Sequence, residues 1–83
     1  MECNRFAVVY SKPNCPECVN AKLLLESYNI CMEERVVGLD LSITQLFEEL
    51  GTQVRSVPQI MLDGTHVNSV SALRETLTQD DSQ

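Results

Sequence analysis

The chain has 83 residues, 43% of them apolar and 22% charged, and its formal net charge at pH 7 is −6. A chain of this length builds one modest hydrophobic core, so we predict a single domain over residues 1–83. No basic patch is present, which argues against nucleic acid and anionic membranes as partners. The apolar run at residues 6–10 is too short for a secretion signal or a membrane span, and we therefore expect a cytoplasmic protein.

The first two predicted elements meet at a pair of cysteines. Residues 5–10, RFAVVY, are a β-branched and aromatic run typical of a buried strand. Beyond them, Pro16 suits the first turn of a helix, since the N–H that proline lacks would have no partner there. Apolar residues then follow at helical spacing, at Cys18, Ala21, Leu24, Leu25 and Tyr28. The sequence therefore predicts a helix that begins at the motif CPEC, residues 15–18.

A strand, a helix and a two-stranded hairpin are predicted in the middle of the chain. Residues 29–37, NICMEERVV, indicate a second strand, although its central charges interrupt the apolar pattern. Ser42 and Gln45 form a capping-box pair at the start of a helix, and Gly51 is placed to end it. Residues 59–67, QIMLDGTHV, predict a hairpin, because the dipeptide DG allows the positive φ values of a tight turn.

The last predicted element is a helix, and it completes the order of strands and helices. A final helix carries Val70, Leu73 and Leu77 on one side, and we expect the polar residues 78–83 to form a frayed tail. The resulting order is β-α-β-α-β-β-α. A crossover helix between parallel strands, followed by a hairpin, gives a small mixed four-stranded sheet with helices on both faces, which is a thioredoxin-like α/β fold. In this fold the first strand brings CPEC to an exposed rim of the sheet.

The spacing of the two cysteines in CPEC indicates redox chemistry. Cysteines on one helical turn have Cα atoms roughly 5 Å apart, which a disulfide can span. Cys15 lies where unpaired N–H groups and the helix dipole favour an anion, so we expect a lowered pKa for its thiol and assign it as the nucleophile. Cys18 lies one turn deeper on the apolar side and is predicted to be the resolving thiol. Lys12 would support the Cys15 thiolate, whereas Glu17 would oppose it.

Other interpretations of the cysteines and the histidine are less favoured. A zinc site needs a second close pair of ligands, but Cys3, Cys31 and His66 are scattered, so we predict no metal site. A structural disulfide within CPEC would close too short a loop to restrict the unfolded chain much. We interpret Cys3 and Cys31 as small buried apolar residues, and His66 as a surface residue of the hairpin without a partner.

A proline before the hairpin supports the redox interpretation. In SVPQI, residues 56–60, Pro58 lacks the N–H that a strand would use. A cis Val57–Pro58 bond would explain this position, and it would present the backbone of Val57 to the backbone of a substrate.

CPEC after YSKPN, the SVP stretch and the hairpin together resemble the glutaredoxin family across essentially the whole chain. The resemblance implies a thioredoxin fold with Pro58 in the cis form, and thiol-disulfide exchange with protein disulfides and glutathione mixed disulfides as substrates. It implies that Cys15 attacks and becomes glutathionylated, while Cys18 resolves protein disulfides. Glutathione would be a co-substrate, with no bound cofactor, and we expect a monomer.

The resemblance also implies where glutathione binds, and two positions depart from the family pattern. The implied contacts are Lys12 for the glycyl carboxylate, Gln53, Arg55, and the backbone of Val57 beside Pro58. Asn68-Ser69 stands where the family has Gly-Gly, and side chains there would crowd the γ-glutamyl end of glutathione. Ser69 and Ser71 are expected to offer hydroxyl or amide groups to that end instead. Glu17 replaces a residue that is typically aromatic.

These departures leave three alternatives open. The first is a glutaredoxin-like electron donor to ribonucleotide reductase that is itself reduced by thioredoxin reductase. The second is an iron-sulfur carrier in which Cys15 and glutathione hold a cluster across a dimer, against which the stiff Pro16 and the competing Cys18 argue. The third is an interaction module without catalysis.

Overall fold

The order of strands and helices agrees with the sequence prediction. The computed structural model describes residues 5–81. Within them the elements are β1 (Phe6–Ser11), α1 (Pro16–Ser27), β2 (Cys31–Val36), α2 (Ile43–Leu50), β3 (Gln59–Leu62), β4 (Thr65–Val67) and α3 (Val70–Asp81). None of the helices in these residues is both long enough and apolar enough to cross a lipid bilayer.

The four strands form one mixed sheet in the order β2-β1-β3-β4. β1 pairs with β2 in parallel, from Phe6 opposite Cys31 to Ser11 opposite Val36, and it pairs with β3 in the antiparallel sense. The central position of β1 accounts for its uncharged sequence, because neighbours on both sides and both faces exclude water from it. The architecture is the predicted thioredoxin-like fold.

The hairpin between β3 and β4 has the predicted tight turn. Asp63 and Gly64 both have positive φ, at 51° and 85°, as a two-residue turn that follows the sheet twist requires. The Asp63 carboxylate also accepts hydrogen bonds from the backbone N–H of Phe6 at 3.1 Å and from Nε of Arg5 at 2.6 Å. These contacts tie the turn to the start of β1.

Helices cover both faces of the sheet. Alternate residues of β1 and β3 point to opposite sides, and apolar residues of both strands pack on each side. On one face α1 and α3 bury an apolar cluster of Ala7, Val9, Ala21, Leu25, Ile30, Ile60, Leu62, Val67, Leu73 and Leu77. On the other face Leu46 and Leu50 of α2 form a second apolar cluster with Tyr10 and Leu41. The capping box of Ser42 and Gln45 is formed at the start of α2, and Gly51 ends it at φ 79°.

Two predictions about the periphery are wrong. Cys31 is exposed, because it begins the edge strand opposite the half-exposed Phe6. It is also not a free thiol. Cys3 lies outside the described residues. The expected frayed tail is helical over residues 78–81, since no glycine or proline stops α3 after Leu77; residues 82–83 lie outside the described part.

A buried tyrosine connects α2 to the sheet. The Tyr10 hydroxyl donates to Oε1 of Glu49 at 2.7 Å, and Arg35 on β2 contacts Oε2 of the same carboxylate at 3.1 Å. Burial, followed by the hydrogen bond to the Glu49 carboxylate, raises the pKa of Tyr10 from 10.0 to about 12. Both effects favour the neutral phenol in the folded protein.

This shift predicts a loss of stability at alkaline pH. Because unfolding lowers the pKa of Tyr10 from about 12 to 10.0, its contribution is complete below pH 10 and is lost as the pH rises toward 12. Between pH 9 and pH 11 we expect the wild-type free energy of unfolding to fall by about 1 kcal/mol more than that of Tyr10→Phe. Urea titrations at the two pH values measure this difference, and equal losses in both proteins would contradict it.

Candidate active site

A sharp turn after β1 places Cys15 at the start of α1. Asn14 has φ 58°, a left-handed conformation that asparagine tolerates better than most residues. Cys15 is the N-cap, with extended φ and ψ of −119° and 101°, and Pro16 occupies the first turn, where its missing N–H costs nothing. The sequence Asn-Cys-Pro thus directs the chain out of the sheet and into the helix with the cysteine at the junction.

The two cysteines of CPEC are bonded to each other, with Cα atoms 5.2 Å apart. The Cys15 sulfur also accepts a hydrogen bond from the backbone N–H of Cys18 at 3.1 Å. Cys15 is 9% exposed and Cys18 is 2% exposed, so the cysteine at the helix start is the more accessible residue. After reduction, the same N–H and the helix dipole would stabilise a Cys15 thiolate.

A carboxylate beside this turn holds three elements together. Oε2 of Glu34 on β2 accepts hydrogen bonds from the Ser11 hydroxyl at 2.7 Å and from Nζ of Lys22 on α1 at 2.8 Å. The hydrogen bond from Lys22, and then that from Ser11, lower the pKa of Glu34 below its ordinary value. The end of β1 and the first turns of α1 are therefore anchored to the edge strand at neutral pH.

A cleft of about 340 Å³ lies between α2 and the loop before β3. It is lined by Lys12, Val37, Ile43, Leu46, Val54, Arg55, Ser56 and Val57. The two charged residues in this lining, Lys12 and Arg55, are both cationic although the whole chain is acidic. The cleft is therefore suited to an anionic ligand.

A second cleft, of about 690 Å³, reaches both cysteines from the β2 side. Val19, which is 47% exposed, and Leu39, which is 77% exposed, give it an apolar rim. Within residues 5–81, no three His, Cys, Asp or Glu side chains gather where they could hold a metal ion.

Comparisons with known proteins agree with this geometry. A family model described as Glutaredoxin matches residues 7–67. The chain belongs to the glutaredoxin family. Glutaredoxin 1 of Rickettsia conorii is 34% identical over 67 residues, which are 80% of this chain and 66% of that protein.

Solved structures show the same fold. Reduced Escherichia coli glutaredoxin matches with a TM-score of 0.79 at 21% identity, over 94% of this chain and 99% of that one. A buckwheat glutaredoxin-glutathione complex matches with a TM-score of 0.64 at 22% identity, over 92% and 71% of the two chains. These glutaredoxins confirm the thioredoxin-like fold.

The structure brings together some of the residues that the glutaredoxin resemblance implies for glutathione binding. Lys12, Arg55 and Val57 line one cleft, and the Val57–Pro58 peptide bond is cis, as predicted. Gln53 is exposed and does not line this cleft.

The two serines lie at the start of α3 and are not among the residues that line this cleft. The Ser69 hydroxyl oxygen accepts from the backbone N–H of Ala72 at 3.0 Å and so caps α3, while Ser71 is exposed in the first turn. The position where the resemblance implies Gly-Gly is therefore used in this chain to begin a helix.

The prediction that His66 lacks a partner is wrong. Its Nε2 atom lies 2.6 Å from Oε1 of Gln59, a residue only 2% exposed, and Nε2 of Gln59 donates to the Ser56 carbonyl at 2.7 Å. The sequence contains a signal for this contact. The two-residue turn sets Met61 opposite His66, which makes Gln59 and His66 diagonal neighbours on one face of the sheet.

The different exposure of Cys15 and Cys18 predicts a difference in their alkylation rates. When the reduced protein meets limiting iodoacetamide at pH 7, we expect Cys15 to be alkylated at least about tenfold faster than Cys18, because Cys15 is the more exposed residue and lies at the helix N-terminus. Peptide mapping by mass spectrometry measures the two rates separately from those of the other cysteines. Equal rates, or faster labelling of Cys18, would contradict the assignment.

Proposed function

We propose that this chain is a glutathione-dependent thiol-disulfide oxidoreductase that reduces protein disulfides and glutathione mixed disulfides. The observation that carries the proposal is the Cys15 sulfur, held at the start of α1 by the N–H of Cys18. A nucleophilic thiolate needs this kind of electropositive and partly accessible position. The reducing environment of the cytoplasm suits such a dithiol, and a monomer suffices because one chain supplies both sulfurs.

Glutathione is the expected reductant because of the charge of the 340 Å³ cleft. The tripeptide carries two carboxylates and one ammonium group, so its net charge is opposite to that of Lys12 and Arg55. In the proposed binding mode Lys12 contacts the glycyl carboxylate, and the backbone of Val57 pairs with the backbone of the tripeptide. The buckwheat protein of similar fold, which was solved as a complex with glutathione, supports the choice of ligand.

Reduction of a glutathione mixed disulfide needs one cysteine. The Cys15 thiolate attacks the glutathione sulfur, a Cys15–glutathione disulfide forms, and the substrate leaves as a thiolate that takes up a proton. A second glutathione thiolate then attacks the glutathione sulfur of that bond. This step releases oxidised glutathione and restores the Cys15 thiolate, so two electrons pass from glutathione to the substrate.

Reduction of a protein disulfide needs both cysteines. Cys15 attacks one substrate sulfur and forms a mixed disulfide, and the other substrate sulfur leaves as a thiolate. Cys18 then loses its proton and attacks the Cys15 sulfur, which frees the reduced substrate and forms the Cys15–Cys18 disulfide. Two glutathione molecules reduce this disulfide. The apolar rim at Val19 and Leu39 offers a surface to such protein substrates, among which ribonucleotide reductase is a candidate.

One observation favours a second candidate for the reductant. Asn68 and Ser69 stand where the glutaredoxin pattern has two glycines, and Ser69 is occupied in capping α3. Side chains at these positions limit close approach of a ligand backbone. A protein reductant such as thioredoxin reductase, which does not require a γ-glutamyl site, would be unaffected by this change.

Turnover with each reductant tests the proposal. We expect the protein to reduce a glutathionylated peptide with glutathione, glutathione reductase and NADPH, and to show no comparable rate with thioredoxin reductase and NADPH. Turnover with thioredoxin reductase alone would overturn the choice of glutathione. No turnover with either system would overturn the enzymatic function.

Two cysteine variants test the roles of the sulfurs in the same assay. Cys15→Ser removes the attacking sulfur, so we expect turnover to fall at least about 100-fold on every substrate. Cys18→Ser keeps the backbone N–H that supports Cys15 and should retain reduction of the glutathionylated peptide, while reduction of a protein disulfide is lost. Equal losses in the two variants on the glutathionylated peptide would contradict the assigned roles.

A further inference from the structure

A chain of hydrogen bonds runs from the β3–β4 hairpin to the loop that contains the cis proline. Nε2 of Gln59 donates to the Ser56 carbonyl at 2.7 Å, and Oε1 of Gln59 lies 2.6 Å from Nε2 of His66. Gln59 is 2% exposed and His66 is half-buried. A buried amide is costly unless its polar atoms are paired, so this arrangement constrains all three residues.

In each of these hydrogen bonds a carbonyl oxygen takes part, and this determines which atom donates. The Ser56 carbonyl can only accept, so the NH₂ group of Gln59 must face it. The carbonyl oxygen of Gln59 then faces His66 and can also only accept. His66 must therefore carry a proton on Nε2, a condition that both the Nε2–H tautomer and the imidazolium meet. The neutral tautomer with its proton on Nδ1 would set two acceptors 2.6 Å apart.

The Ser56 end of these hydrogen bonds lies at the proposed substrate site. Ser56 directly precedes Val57, and both residues line the cleft that contains Lys12 and Arg55. A hydrogen bond to the Ser56 carbonyl restrains the peptide plane that joins Ser56 to Val57, because carbonyl and amide share one plane. The orientation of the Val57 N–H is therefore coupled to Gln59 and His66.

We propose that Gln59 and His66 are positioning residues that hold the Ser56–Val57 segment ready to pair with the backbone of the substrate. The identity of that substrate rests on the proposed function, whereas the hydrogen-bond chain itself does not. A restrained loop loses less conformational freedom on binding, so the expected effect is on affinity and not on the chemical step at Cys15.

Which nitrogen of the His66 imidazole carries a proton tests this hydrogen-bond chain without any assay of activity. In ¹⁵N spectra of the wild-type imidazole at pH 9, we expect Nε2 to show the chemical shift of a protonated nitrogen and Nδ1 that of an unprotonated one. A dominant Nδ1–H tautomer would overturn the proposal. This measurement needs no variant and so does not depend on whether a substituted protein folds.

Variants of His66 then separate positioning from simple loss of structure. His66→Phe removes the donor, and we expect KM for a glutathionylated peptide to rise about fivefold with kcat and the rate of Cys15 alkylation unchanged. His66→Gln places an amide N–H near the position of Nε2, and it should restore KM to within about twofold. Thr65→Val, on an exposed neighbour in β4, is the matched control and should leave KM unchanged.

The amide signals of Ser56 and Val57 give a second readout in the same proteins. We expect both signals to shift in His66→Phe and to return in His66→Gln. Unchanged signals and KM in His66→Phe would overturn the proposal. If wild-type protein fails to turn over with glutathione, the proposed function falls, while the tautomer and the amide signals still decide whether the hydrogen-bond chain holds the loop.

Discussion

The site depends on the contact between the backbone N–H of Cys18 and the sulfur of Cys15. That N–H is one of the helix donors that has no partner within α1, and the sulfur occupies the position where a serine or aspartate oxygen usually caps a helix. A group that accepts this hydrogen bond is stabilised further when it becomes an anion. The same contact therefore begins the helix and, once the disulfide is reduced, would stabilise a thiolate at Cys15.

The rest of the fold keeps this helix start in place and leaves one side of it open. β1 is clamped between β2 and β3, and the Ser11–Glu34–Lys22 contacts hold its end against α1. On the other side, α2 and the loop around Val57 form a cleft whose charged residues are cationic. Lys12 lines both this cleft and the one that reaches the two cysteines. Rigid supports behind the sulfur and open clefts on the accessible side suit a repeated exchange reaction.

Much of the fold follows from local sequence patterns. CPEC, the capping box at Ser42 and the Asp-Gly turn each depend on contacts between residues close in the chain, and all three occur as predicted. Partners that are distant in sequence could not be predicted in this way. The Glu34 contacts depend on the parallel pairing of β1 with β2, two strands that α1 separates in the sequence. The exposure of Cys31 depends on which strand forms the edge of the sheet. The Gln59–His66 contact is an intermediate case. The two-residue turn determines which residues of β3 and β4 face each other, but it does not determine which atoms donate and which accept.

The proposed chemistry depends above all on the start of α1 favouring a thiolate at Cys15. The most direct test is the rate of Cys15 alkylation in the reduced protein as a function of pH, followed by peptide mapping. We expect its midpoint to lie at lower pH than the midpoint for the same cysteine in the urea-unfolded chain. Coincident midpoints in the folded and unfolded protein would contradict the claim.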